Sequence, residues 1–143
     1  MAIVNGTAGS NTLNGSGGVD TIYGYAGNDK LHGLFGSDAL FGGDGNDRLY
    51  GDAGNDSLTG GKGADNYYFT VSSGNDVVSD LNPSEGDKIV LTGVTVDHLS
   101  YNPFFNQTTL YFDPWGQDKV TFLSASKLDV ISSIIFAPTY DWA

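Results

Sequence analysis

Six aspartates, Asp20, Asp29, Asp38, Asp47, Asp56 and Asp65, follow one another at intervals of nine residues, and Asn11 holds the same place one interval earlier. Asp carries a short side chain that bonds neighbouring backbone amides and reaches a cation from inside a tight turn. A row of such carboxylates is chemistry for holding a hard divalent ion. Of the 17 acids in the chain only Glu85 is not Asp, which assigns the acidity to turns rather than to helices.

The elements that must position this row are written in the same period. From Asn5 to Tyr67 seven units run without a gap: NGTAGSNTL, NGSGGVDTI, YGYAGNDKL, HGLFGSDAL, FGGDGNDRL, YGDAGNDSL and TGGKGADNY. Gly fills the second and fifth places of every unit, the acid or Asn11 the seventh, and Leu13, Ile22, Leu31, Leu40, Leu49, Leu58 or Tyr67 the ninth. Such locking of period, acid and apolar position marks a repeat architecture. One unit holds a short strand and a turn, so two units complete a coil and alternate units fall on opposite sides. The expected fold is all-β, a right-handed parallel β-roll over residues 5–67 with a β-rich cap over residues 68–143. Period-two alternation turns the middle residue of each strand inward. Leu13, Leu31, Leu49 and Tyr67 then line one inner wall, and Ile22, Leu40 and Leu58 the other.

Coils stack at the spacing of paired strands, about 4.7–4.9 Å, which places Asp38 over Asp20 with Asp56 above, and Asp47 over Asp29 with Asp65 above. Carboxylates that close repel by roughly 1 kcal/mol in water and ~3 kcal/mol at an effective dielectric near 20. A Ca²⁺ between rungs reverses the sign, because it takes about six to eight oxygens in loose geometry and accepts turn carbonyls as readily as carboxylates. The ligand set expected is the six aspartates and Asn11 with the turn glycines Gly15, Gly24, Gly33, Gly42 and Gly51. Full sites are expected at Asp20/Asp38, Asp38/Asp56, Asp29/Asp47 and Asp47/Asp65, with a fifth at Asn11/Asp29 weakened by the neutral amide. Asp38 and Asp47, each shared by two pairs, should matter most. Four ions would take the formal charge from −11 to about −3. One inward apolar residue per unit is a thin core, so metal binding must supply folding free energy.

Charge and composition remove other functions. Phosphate neutralisation needs clustered Lys and Arg, and the chain has six bases, which excludes nucleic acid as a partner. No apolar run approaches the roughly 18 residues of a membrane span. Cys is absent, so thiolate sites and disulfides are excluded. GGKGAD at residues 61–66 lacks the earlier Gly and the Ser or Thr of a phosphate loop, and Asp44 to Asp52 has no Glu at the twelfth place of an EF-hand loop. With one Glu, and with His32 and His98 outside any HExxH, catalysis is not expected of this segment.

One outer wall carries Thr12 and Asn14, Lys30 and His32, Arg48 and Tyr50, then Asn66 and Tyr68 on successive rungs. Lys30, His32, Arg48 and Tyr50 form a basic and aromatic ladder suited to carboxylated sugars, set against the plainer reading of a solvated face. On the other wall Tyr23 and Phe41 are expected to pack under the cap.

FGGDGNDRL and TGGKGADNY resemble the calcium-binding nonapeptide repeat of RTX proteins, GGxGxDxUx. That resemblance covers Asn5 to Tyr67. It implies a calcium-dependent parallel β-roll, export by a type I secretion apparatus that reads an uncleaved C-terminal signal, and folding on meeting extracellular calcium. The chain departs from the family at its second glycine, present only at Gly43 and Gly61. Since repeats begin at Asn5 and no secretory leader precedes them, the chain reads as a module of a longer secreted protein. The alternative role is an auxiliary module that binds an anionic polysaccharide such as alginate, as in polysaccharide epimerases.

Glycine falls from 17 in the first 63 positions to four afterwards. Strands are expected at Asn75 to Asp80 and Asp87 to Gly93, a hairpin from Thr108 to Phe112 and Lys119 to Leu123 around Asp113-Pro114-Trp115-Gly116, and a last strand at Ile134 to Phe136. Short helical turns are expected at Val94 to Leu99 and Ser126 to Ser132. This half would cover the open end of the roll.

Overall fold

The computed structural model describes residues 1–94, 96–112, 118–123 and 125–137. Among these the strands are β1 (Ile3–Asn5), β2 (Thr12–Asn14), β3 (Thr21–Ala26), β4 (Lys30–His32), β5 (Ala39–Asp44), β6 (Arg48–Tyr50), β7 (Ser57–Lys62), β8 (Asn66–Thr70), β9 (Asn75–Val78), β10 (Lys88–Thr92), β11 (His98–Asn102), β12 (Gln107–Tyr111), β13 (Lys119–Phe122) and β14 (Ile134–Ala137), with one helix, α1 (Lys127–Ser133).

Strands alternate between two sheets, as a two-unit coil requires. One sheet runs β1-β3-β5-β7-β9-β13-β12-β11 and the other β14-β10-β8-β6-β4-β2. Within the repeats every pairing is parallel, and the register matches the period: Leu13 pairs with Leu31, Leu31 with Leu49 and Leu49 with Tyr67, while Ile22 pairs with Leu40 and Leu40 with Leu58. Ile22, Leu31, Leu40, Leu49, Leu58 and Tyr67 have no exposed surface, so the ninth place forms a continuous core between two inner walls. This is the parallel β-roll read from the period.

Both sheets run on into the second half. β9 joins β7 and β10 joins β8 in parallel, then β13 joins β9 and β14 joins β10. At the far end β13, β12 and β11 turn antiparallel, and Leu110, Val120, Phe122, Ala125 and Val130 extend the core beyond Phe69 and Val78. The ring of Phe122 meets Phe69 edge-on at 6.4 Å. Helix α1 begins with a capping box in which the Ser126 hydroxyl accepts from the Asp129 N–H (3.2 Å) and the Asp129 carboxylate from the Ser126 N–H (2.9 Å). The expected strands near 75, 87 and 134 and the helical turn after Ser126 are all present. β12 and β13 form the expected antiparallel pair, and its connection, residues 113–117, lies outside the described residues.

Two expectations fail. Among the described residues the helical turn expected at Val94 to Leu99 does not form: residues 98–102 form β11, because β12 offers a free edge and Leu99 gains a cross-strand partner in Leu110 against the core. Tyr23 and Phe41 do not pack under the cap. They stack on each other at 5.1 Å on the outer face, and Phe41 stays 37% exposed, because the cap covers the end of the stack and not its side.

Candidate metal centre

The seventh-place carboxylates stack in two columns, each rung holding the next by the same bond. The Asp20 N–H donates to Asp38 Oδ1 (2.7 Å), Asp29 to Asp47 (2.8 Å), Asp38 to Asp56 (2.8 Å) and Asp47 to Asp65 (2.8 Å), each across 18 residues. The Asn11 N–H donates likewise to Asp29 (2.6 Å). One oxygen of each carboxylate therefore braces the coil before it. The other is left over: Oδ2 of Asp29, Asp38, Asp47, Asp56 and Asp65 is buried without a hydrogen-bond partner. A buried bare carboxylate oxygen is costly, and a repeated series of them calls for a cation.

The space beside each orphan is kept open by the second-place glycine. A Cβ built on Gly33 would lie 2.6 Å from both Asp38 Oδ2 and the Gly51 carbonyl oxygen of the next coil. Equivalent cradles occur at Gly15 (Asp20 Oδ2 with Gly33 O), Gly24 (Asp29 Oδ2 with Gly42 O), Gly42 (Asp47 Oδ2 with Gly60 O) and Gly6 (Asn11 Oδ1 with Gly24 O). Any side chain at these places would fill the cradle. At Gly51 the nearest group is Asp56 Oδ2, with no carbonyl as close. Each cradle joins a side-chain oxygen of one coil, a carboxylate in all but the Asn11 cradle, to a carbonyl of the next, which is the oxygen-only chemistry of Ca²⁺. Among the described residues no three Asp, Glu or His side chains form a metal-binding group, so a full shell here must draw on main-chain oxygens.

Burial sets the electrostatics. It pushes the Asp47 carboxyl up to about 6 and those of Asp56 and Asp65 up to about 7, against the opposing effect of the backbone N–H each accepts. Asp29 and Asp38 are raised for the same reason. Asp20 is lowered, because the Ser16 hydroxyl and N–H both donate to its Oδ2. Its inner oxygen is thus already served, as is that of Asn11, whose Oδ1 accepts the Thr7 N–H (2.7 Å). The two columns weaken toward their first rungs.

Two aspartates outside the repeats extend the columns. The Asp56 N–H donates to Asp76 Oδ1 (2.9 Å) across 20 residues, and the Asp65 N–H to Asp87 Oδ1 (2.9 Å) across 22. A nine-residue frame misses both, although each sits two places before a buried apolar residue, Val78 or Ile89, as in the repeats. Asp87 Oδ2 accepts the Asn82 N–H (2.8 Å), whereas Asp76 Oδ2 is buried and unpartnered. Tyr67, standing where the other units have Leu or Ile, donates its hydroxyl to Asp80 Oδ1 (2.9 Å), and Asp80 also takes the N–H groups of Gly60 (3.0 Å) and Gly61 (2.8 Å).

The outer ladder is arranged as the register demands. Thr12, Lys30, Arg48 and Asn66 align on successive rungs, as do Asn14, His32, Tyr50 and Tyr68. The rings of His32, Tyr50 and Tyr68 stack at 4.3 and 4.2 Å, the Lys30 ammonium lies 5.3 Å from the Tyr50 centroid, and His32 Nδ1 meets Asp52 Oδ2 at 3.0 Å. Lys30 and Arg48 border a groove lined also by Asn11, Asn28, Asn46, Asn66 and the acidic Asp29.

Among solved structures the chain is similar to the AlgE6R3 subunit of the Azotobacter vinelandii mannuronan C5-epimerase, at 26% identity over 96% of this chain and 83% of that one, with a TM-score of 0.44. It is similar to the AlgE6R2 subunit of the same epimerase at 24% identity over 94% and 92% of the two chains, with a TM-score of 0.48. No curated protein matches it significantly. Residues 5–40, 32–67 and 41–78 match the RTX calcium-binding nonapeptide repeat (4 copies), which together span more than half of the 143 residues. The chain belongs to the RTX calcium-binding nonapeptide repeat family.

Proposed function

We propose that this chain is a calcium-triggered folding module, in which Ca²⁺ enters the cradles between coils and converts two repelling acidic columns into ties. The observation that carries this reading is the series of buried, unpartnered Oδ2 atoms, each opposed across a glycine by a carbonyl oxygen or lying at the end of such a series. Four cradles, at Gly15, Gly24, Gly33 and Gly42, pair an aspartate with the next coil's carbonyl, and the Asn11 cradle at Gly6 is a weaker fifth. Without the ion each orphan costs burial with no return; with it, coil is held to coil. Such a chain stays loose at the low calcium of a cytosol and orders outside the cell, which suits passage through a type I secretion apparatus and stability after export. No described helix is long and apolar enough to cross a membrane.

Far-ultraviolet circular dichroism in calcium and in excess chelator tests this. Strand signal and a melting transition should appear with calcium and be lost without it. Equal spectra and equal melting in the two buffers would remove calcium as the trigger.

A second reading is favoured by the outer ladder. The cations of Lys30 and Arg48 beside a row of Asn amides offer charge and hydrogen bonds to a carboxylated sugar chain. The rings contribute less than their number suggests, because His32, Tyr50 and Tyr68 spend their faces on one another. Alginate titrated against the calcium-loaded protein should bind, and Lys30→Ala/Arg48→Ala should abolish binding. Binding that is absent, or unchanged in the double variant, rejects the ladder as a sugar contact.

A further inference from the structure

The column of Asp20, Asp38 and Asp56 does not end like that of Asp29, Asp47 and Asp65. Asp87 closes its column with both oxygens engaged by N–H groups, from Asp65 and Asn82. Asp76 braces Asp56 in the same way, yet its Oδ2 is left buried and unpartnered at a residue 2% exposed. Beside it lies a second orphan. Ser73, 3% exposed, has a buried Oγ with no hydrogen-bond partner.

The chain itself builds this spot. The turn that leads to Asp76 is two residues longer than a repeat turn, since Asp76 follows Asp56 at 20 residues instead of 18. The extra length carries Ser73 inward while Gly74, at φ +95°, presses on the Gly54 carbonyl as the repeat glycines press on theirs. The Ser73 N–H donates to the Thr70 carbonyl (3.4 Å) and its own carbonyl accepts the Gly54 N–H (3.1 Å), which fixes the loop against the last regular coil. Asp118 arrives from the other side, immediately before β13. Its carboxylate accepts the N–H groups of Ser72 (3.2 Å) and Gly74 (3.3 Å), and β13 then pairs with β9 so that Val120 faces Asp76. Burial pushes the Asp76 carboxyl up; the Ser73 hydroxyl lies near enough to favour its charge without completing a hydrogen bond, and the Asp118 charge opposes it.

We propose that Asp76 Oδ2, Ser73 Oγ and the Asp118 carboxylate form a Ca²⁺ site at the seam between the roll and its cap, distinct from the glycine cradles of the repeats. Two carboxylates, a hydroxyl and main-chain carbonyls are oxygen donors only, the donor type of a hard dication. The ion would neutralise two neighbouring acids, and it would tie β13 to β9, the strand that continues the last coil of the roll. The site rests on the calcium reading of the roll, because it extends one of the same columns. On this reading the roll binds calcium in its interior, and the seam ion holds β13 on β9.

The test counts calcium retained per chain by atomic absorption after gel filtration in saturating calcium. It also follows amide hydrogen exchange of β13 and of β5 along a calcium titration. Asp118→Asn and Asp76→Asn should each retain one ion fewer than wild type, and Ser73→Ala should retain it more weakly. In all three, β13 should need about tenfold more calcium for protection while β5 keeps its wild-type midpoint. Asp118→Asn keeps an acceptor for only one of the Ser72 and Gly74 N–H groups, so Ser73→Ala, which leaves both of those bonds in place, serves where either Asn variant fails to fold. A full complement of ions in Asp118→Asn and Ser73→Ala, with an unshifted β13 midpoint, overturns the seam site. Wild type that retains no calcium defeats the roll reading itself, whereas loss of ions in Asp38→Asn but not in Asp118→Asn defeats the seam alone.

Discussion

The repeats and the segment that follows them solve one problem in opposite ways. Between Asn5 and Tyr67 the bond from each seventh-place N–H to the carboxylate of the next coil recurs at 18 residues, and each cradle is cut by a glycine. Beyond Tyr67 the offsets become 20 and 22, and individual side chains take over: Tyr67 and Asp80 close the last turn, Asn82 serves Asp87, and Asp118 receives the loop before β9. Regularity leaves bare oxygens that only an ion can satisfy. Irregularity lets protein donors satisfy them at Asp80 and Asp87, each through its own bespoke residue, and leaves Asp76 Oδ2 as the exception. If calcium fills the cradles, the first half should depend on it for order more than the second half does.

The largest break in this contrast should come from the columns. Asp47 is fully buried with Oδ2 unpartnered, whereas the inner oxygen of Asp20 is held by Ser16. Asp47→Asn should raise the calcium midpoint of folding by roughly tenfold or more, and Asp20→Asn by only a few-fold. Calcium titrations followed by circular dichroism decide it. Equal shifts would mean that the orphan oxygens do not mark the ion positions.

Much of this was legible beforehand and some was not, for physical reasons. The ninth-place apolar residues, the columns and the pairing of Lys30 with Arg48 all follow from strict periodicity, because a period that never slips admits one register. Asp76 and Asp87 escaped because a longer turn changes the offset without changing the local triplet of acid, any residue, apolar residue. β11 escaped because His98 to Asn102 acquires its strand from the edge of β12, a partner that no local pattern announces. Tyr23 and Phe41 read as cap-facing because large rings suggest burial, yet a ring stacked on its neighbour one rung away needs no cover.

Protons offer a second way to sharpen the comparison. In the ion-free roll Asp47 titrates at about 6 and Asp56 and Asp65 at about 7, all above the ordinary 3.8 of the unfolded chain. A carboxyl raised on folding favours the folded state when protonated, so its stabilisation is complete below about pH 4 and is lost as pH rises through 6 to 7. In chelator, acidification from pH 8 to pH 5 should therefore restore strand signal. In calcium the same acidification should weaken ion binding, since protons compete for the same oxygens. A chelated chain equally disordered at both values would show that column repulsion is not what keeps the coils apart.

At the junction, Tyr67→Phe removes the hydroxyl that donates to Asp80 and accepts the Gly60 N–H (3.1 Å). The loss should be about 1–3 kcal/mol in calcium-loaded protein, read from thermal or urea melting, because a half-buried carboxylate oxygen loses a donor. The same change at a repeat position has no counterpart, since Leu makes no such bond. A neutral outcome would show that Gly60 and Gly61 hold Asp80 unaided.

The smallest effect expected lies within the repeats and runs the other way. At the third place of the units, where Gly43 and Gly61 have φ of +112° and +101°, the chain puts Tyr25 (+76°), Leu34 (+76°) and Asp52 (+66°) in the same left-handed region. A non-glycine residue there carries strain of order 1 kcal/mol. Tyr25 recovers some of it through its hydroxyl bond to Asn5 Oδ1 (3.0 Å), and Asp52 through His32. The Leu34 side chain, 38% exposed, has no polar group with which to do so. Leu34→Gly should therefore raise stability in saturating calcium by about 0.5–1 kcal/mol, after the entropy that glycine adds to the unfolded chain. Tyr25→Gly, which also forfeits a hydrogen bond and the stack on Tyr23, should gain nothing or lose. If Leu34→Gly melts below wild type, the third place tolerates side chains without strain, and the repeat turn is shaped by the second- and fifth-place glycines alone.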